Sequence, residues 1–104
     1  MNNQVGTHKT SVLVKNNALS VVYHSTEVVK VIDNRYVILD NGGHYTSTSK
    51  RRMNQASLQY NLGFNVYQCN FLWYVGIKDN ILEYKNNMII DTKTGDICHN
   101  IDIN

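Results

Sequence analysis

Three adjacent cations, Lys50, Arg51 and Arg52, follow the hydroxyl run Thr46–Ser49. The chemistry open to such a set is anion capture. Ser47, Thr48 and Ser49 offer hydroxyl donors, and a guanidinium offers a planar fork that meets phosphate or carboxylate at two points. The pattern that follows predicts a helix beginning here, so the cations fall at its positive end. The macrodipole disfavours each of them there by about 0.3–1 kcal/mol. Free backbone N–H groups at the same end already favour an anion. The local conflict therefore points to a negatively charged guest. Consecutive residues are about 100° apart around a helix, so the three fan through roughly 200°, and two cations can engage a ligand while the third is solvated. The plain alternative is a wet helix face.

Aromatic and imidazole groups lie at both ends of the same region. Tyr23–His24 and His44–Tyr45 each place a ring beside a hydroxyl residue. If these segments are neighbours in a sheet, they frame a polar pocket above the helix start. Tyr23 and Tyr45 could then stack a base, whereas Phe64, Phe71 and Trp73 read as core. Asn54 and Gln55 both donate and accept, fitting either a base edge or plain helix surface. His8, His24, His44 and His99 have no histidine partner at ligand spacing, so a metal site is not expected. Cys69 and Cys98 form no CxxC pair, and neither shows a nucleophile signature. There is no phosphate-binding P-loop and no dinucleotide fingerprint. The expectation is a binding protein without cofactor, not an enzyme.

The elements that must position these groups follow from period and turn chemistry. Strands are expected over Ser11–Lys15, Ala18–His24, Thr26–Ile32 and Tyr36–Leu39. In Thr26–Ile32, alternation turns Val29 and Val31 inward. The Asp40–Gly43 run is the strongest turn signal, because Asn and Gly accept positive φ. Met53, Ala56 and Tyr60 then recur at helical spacing, predicting one helix over about 49–62. Ser47, Thr48 or Ser49 would cap its start and Gly63 its end. Strands resume over Phe64–Cys69, Leu72–Ile77, Ile81–Tyr84 and Met88–Asp91, with an edge over Asp96–Ile103. The order predicts an α+β domain: an antiparallel sheet of about six to eight strands with one helix packed on one face. Residues 1–9 read as a flexible terminus, and 10–104 as a single domain.

Composition bounds the function classes. Hydrophobic residues make up 42 % and charged residues 17 %, which specifies a globular chain rather than a disordered one. Net charge is only +2, so any electrostatic function must come from local clustering. That clustering exists. No Asp or Glu lies between Asp40 and Asp79, and acids dominate after that point. A basic middle beside an acidic end is compatible with a homodimer. No apolar run approaches membrane-spanning length or a secretion signal, so the expected location is the cytoplasm with reduced thiols.

The segments VVYHSTEVV and VILDNGGHYTSTSKRRMNQ resemble a group of short, uncharacterised phage-encoded proteins. The shared pattern is a Tyr-His-x-Thr-x-Val-Val strand, a Gly-Gly turn, a Thr-rich segment and a Lys-x-Arg-Met-Asn-Gln helix start. It falls on Tyr23, His24, Thr26, Val28, Val29, Gly42, Gly43, Thr46, Thr48, Lys50, Arg52, Met53, Asn54 and Gln55. Asn61–Gln68 is similar as well. The chain departs at His44, where the group has Trp. The resemblance implies viral origin and action inside an infected bacterium, and it implies no activity. Three functions then stand open. The first is a counter-defence protein that binds a phosphate-bearing ligand or sequesters a nucleotide signal. The second is a single-stranded nucleic-acid binder. The third is a protein-only inhibitor of a host nuclease complex, similar to an anti-CRISPR, docking on a host defence protein through the acidic end.

Overall fold

The computed structural model describes residues 10–23 and 25–99. Nine strands and one helix occur among them, in the order β1 (Thr10–Lys15), β2 (Ala18–Tyr23), β3 (Thr26–Ile32), β4 (Tyr36–Leu39), α1 (Ser47–Gln59), β5 (Phe64–Cys69), β6 (Leu72–Ile77), β7 (Asn80–Glu83), β8 (Met88–Asp91) and β9 (Asp96–Ile97). The α+β class with antiparallel pairing and a single helix is observed. The strands form two sheets, one of six ordered β1-β2-β3-β4-β8-β9 and one of three ordered β5-β6-β7. The expected flexible terminus 1–9 and the end of the last expected strand lie outside the described residues.

The larger sheet is built on rows of aliphatic side chains. The pairings Val21↔Val29, Val29↔Leu39 and Leu39↔Met88 run across it, as do Leu19↔Val31, Val31↔Val37 and Val37↔Ile90. These strands alternate inward and outward, so each row faces the core. Met53 and Ala56 of α1 and Trp73, Val75 and Ile77 of β6 complete that core. A bulge on the β2–β3 pair breaks the alternation: Val21 faces Val29, yet Val22 faces Glu27. Val28 is the extra residue, and it is buried alongside Val29. Bulges bend a strand and re-aim its side chains. This one turns the Thr26–Val28 end toward α1.

The chain leaves the large sheet after β4, builds α1 and the small sheet, and returns at β8. The Asn87 amide donates to the Leu39 carbonyl at 2.7 Å, closing the excursion. Asn86 Oδ1 accepts from both the Asn41 amide and the Tyr84 hydroxyl, tying the exit to the return.

Two helix-end expectations are corrected. The cap is Thr46, one residue earlier than expected: its Oγ1 accepts from the Ser49 amide at 3.2 Å. At the far end Asn61, not Gly63, is the first left-handed residue, with φ 56°. The Leu62 amide then reaches back to the Ser57 carbonyl at 2.9 Å. That six-to-one bond is the Schellman closure. Phe71 also departs from expectation. It occupies a hairpin turn at φ 69° and is 93 % exposed, because Asn70–Phe71 is the two-residue link between β5 and β6.

Candidate functional site

The start of α1 is flanked by a hollow on each side. The first, of about 440 Å³, lies between α1 and the bulged end of the large sheet. Tyr23, Ser25, Thr26 and Val28 form its sheet wall, Asn41 and His44 its floor, and Thr46, Thr48 and Ser49 its helix wall. The second, of about 450 Å³, is a shallower groove between α1 and β5, lined by Ser47, Lys50, Arg51, Asn54, Tyr67 and Gln68 among others. Among the described residues no carboxylate lines either one. A third hollow beside the β1–β2 turn carries Asp33 and no cation.

The cleft exists because of two local devices. The bulge points Thr26 and Val28 toward it, and the tight turn at Gly42 allows the chain to pass close beside them. Gly42 has φ 65°, and a Cβ there would meet Thr26 Oγ1 at 2.6 Å. Only glycine fits without a shift of the wall. The turn is fastened by the Gly42 amide on Asp40 Oδ1 and the Gly43 amide on Asn41 Oδ1, both at 2.8 Å.

Sequence-predicted residues divide between the two sides. Tyr23, His44, Thr48 and Ser49 meet in the cleft. Ser47, Lys50, Arg51 and Asn54 face the groove. Tyr45 belongs to neither. Its ring packs edge-on against Trp73 at 4.9 Å and Tyr84 at 5.9 Å. His24 lies outside the described residues.

The three cations have three different fates. Arg51 is exposed. Lys50 Nζ donates to Gln68 Oε1 at 3.1 Å and lies 5.4 Å over the Trp73 ring. Arg52 is only 9 % exposed, shares the helix face of Thr48 and Ser49, and stands 5.4 Å over the Tyr23 ring. Its Nη1 donates to Gln55 Oε1 at 3.1 Å, while its Nε is buried without a partner. Among the described residues the ion pair joins Arg35 to Asp91, far along the sheet, and no acid occupies the first turn of α1. The cap is a neutral hydroxyl. Among the described residues, no ion pair compensates the positive helix end.

Sequence reasoning missed Asn41. It is only 1 % exposed. Its Oδ1 is taken by the Gly43 amide, which fixes the amide orientation and leaves Nδ2 buried and unpartnered. The turn signal around it was legible, but burial of a turn Asn was not.

Asn54 is committed to the scaffold. Its Nδ2 donates to the Val66 carbonyl at 2.9 Å, and its Oδ1 accepts from the Val66 amide at 2.7 Å. Among the described residues no group of three or more His, Cys, Asp or Glu converges as a metal site.

The model of one protein family, Kyanoviridae Gp96 protein, matches residues 1–92. The chain belongs to the Kyanoviridae Gp96 protein family. This is a phage protein family. The matched span takes in α1 and every residue that lines the cleft and the groove of this Gp96-family chain. No curated protein and no solved structure matches it. No helix among the described residues is long and apolar enough to cross a membrane.

Proposed function

We propose that this phage protein is an accessory binder that captures a small phosphate-bearing ligand of nucleotide type in the cleft beside α1. It acts in the cytoplasm of the infected host and counters host defence by sequestering that ligand. The observation that carries this reading is a surplus of buried donors. Asn41 Nδ2 on the cleft and Arg52 Nε, whose guanidinium stands over the lining ring of Tyr23, are both N–H groups in residues nine-tenths or more buried, and both lack an acceptor among the described residues. Leaving one such group unpaired costs about 1–3 kcal/mol, more when it is charged. A buried cation without a counter-ion is costlier still, and the Tyr23 ring offsets only part of that.

Phosphate supplies acceptors and negative charge together. The cleft adds the hydroxyls of Ser25, Thr26 and Thr48, and its volume falls within the usual range of small-ligand sites, about 300–1,000 Å³. Tyr23, backed by Arg52, offers a ring for a base.

The test is a melting titration of the whole chain against inorganic phosphate, nucleoside mono- and diphosphates, and cyclic dinucleotides. The expected result is a saturable rise in Tm with one of them, and one ligand per site by calorimetry. Arg52→Met keeps the side chain's bulk and removes its charge. It should leave the unliganded Tm unchanged or higher and weaken the ligand at least about tenfold, the range for losing a hydrogen bond to a charged group. Undiminished binding by Arg52→Met, or no stabilisation by any of these ligands, overturns the reading.

A further inference from the structure

We infer that the groove on the opposite side of α1, together with the adjoining outer face of the small sheet, binds single-stranded nucleic acid. The inference uses different residues from the cleft and does not depend on it.

Charge comes first. Lys50 and Arg51 line the groove, Arg51 is exposed, and no carboxylate among the described residues lines it. Along the chain, acids are absent from Asn41 through Lys78, so neither α1, β5 nor β6 can supply one. An extended polyanion passing here meets cations and no counter-charge until Glu83, the cross-strand partner of Tyr74 on β7.

A stacking platform adjoins those cations. Tyr67 lines the groove and is the direct cross-strand partner of Tyr74. The two rings are 5.8 Å apart and 30° from parallel, and both side chains are only partly buried. Tyr67 lies beside Gly76, where a Cβ would sit at ordinary contact distance, 3.7 Å from Tyr67 Cε1. Near-parallel tyrosines on an open sheet face present π surfaces without reading base edges, which suits bases of any identity. An acidic peptide would match the charge and leave the ring pair unused. Gln55 and Gln68 add neutral donors and acceptors along the groove.

The experiment is fluorescence anisotropy of the full chain with labelled oligothymidylates of about 6, 12 and 24 nucleotides, bracketing common site sizes. Affinity should rise with length and fall steeply with added salt. Arg51→Glu changes an exposed side chain, so the fold should survive, as its melting curve will report. It should weaken binding about tenfold or more and flatten the salt dependence. Tyr67→Leu should weaken binding several-fold at unchanged salt slope, because it removes stacking and no charge. Thr48→Val, on the cleft side, should leave oligonucleotide binding intact. Absence of binding, indifference to Arg51→Glu and Tyr67→Leu, or equal displacement by polyglutamate of the same charge would each overturn the inference.

Discussion

Arg35 and Asp91 show how much one matched pair can be asked to do. Arg35 Nε donates to Asp91 Oδ1 at 2.9 Å and its Nη2 to Oδ2 at 2.7 Å. The two residues lie 56 positions apart and join the β3–β4 turn to the end of β8. Asp91 Oδ1 also accepts from the Lys93 amide. These hydrogen bonds, the Arg35 fork foremost, lower the Asp91 carboxyl from its ordinary 3.8 to about 2. The sign follows from linkage. A carboxyl depressed in the fold contributes stability above its unfolded value and loses it as pH falls through its folded value. The native chain's resistance to chemical denaturation should therefore fall between about pH 4 and pH 2. Asp91→Asn should be less stable at neutral pH and show a shallower loss over that window. A parallel acid titration of the two proteins would expose any error in that assignment. Arg52 makes the contrast, since no carboxylate answers its charge among the described residues.

At the scale of elements, α1 serves as a strand partner as well as a core face. The edge of β5 offers amides and carbonyls that no neighbouring strand takes up. Asn54 pairs with both backbone groups of Val66. Ser57 Oγ does the same for Phe64, donating to its carbonyl at 2.6 Å and accepting from its amide at 3.0 Å. Residues three apart on a helix share a face, and residues two apart on a strand share a face, so the two pairs are in register. Exposed sheet edges invite unwanted pairing, and this helix covers one. Ser57→Ala would strand a buried amide and carbonyl at a cost of roughly 1–3 kcal/mol. Urea unfolding should show that loss for Ser57→Ala, whereas Leu58→Ala, at an exposed helix position, should stay within about 0.5 kcal/mol of wild type. Equal effects would mean that the helix does not hold the edge.

Across the whole molecule, the small sheet and α1 form an excursion between two strands that pair with each other. Tyr84 stands where the chain comes back. It is buried against Trp73 at 5.1 Å and Tyr45 at 5.9 Å, and its hydroxyl bonds to Asn86. Burial pushes its phenol well above the ordinary 10.0. An acid whose folded pKa is raised keeps its proton in the fold after the unfolded chain has begun to lose it. Its contribution is complete below about pH 10 and fades as pH climbs further. Alkaline unfolding should begin in that range as one cooperative event, followed by tyrosinate absorbance and circular dichroism together. Tyr84→Phe should blunt the alkaline dependence, even though it forfeits the bond to Asn86. An unchanged alkaline profile would place the sensitivity elsewhere.

Local chemistry was enough to determine most of the elements. Alternating aliphatics specify the strands, Asn and Gly specify the turns, and the spacing of Met53, Ala56 and Tyr60 specifies the helix, since each signal acts over a few residues. The cluster of hydroxyls and cations at the helix start was legible for the same reason. Which neighbours those residues acquire was not. The split into two sheets depends on β8 pairing with β4 across nearly half the chain, and no local period encodes that. The bulge at Val28, the burial of Asn41 and the parting of Arg52 from Lys50 and Arg51 are products of packing. Three consecutive helical residues must diverge, and only the tertiary fold decides what lies on each side of them.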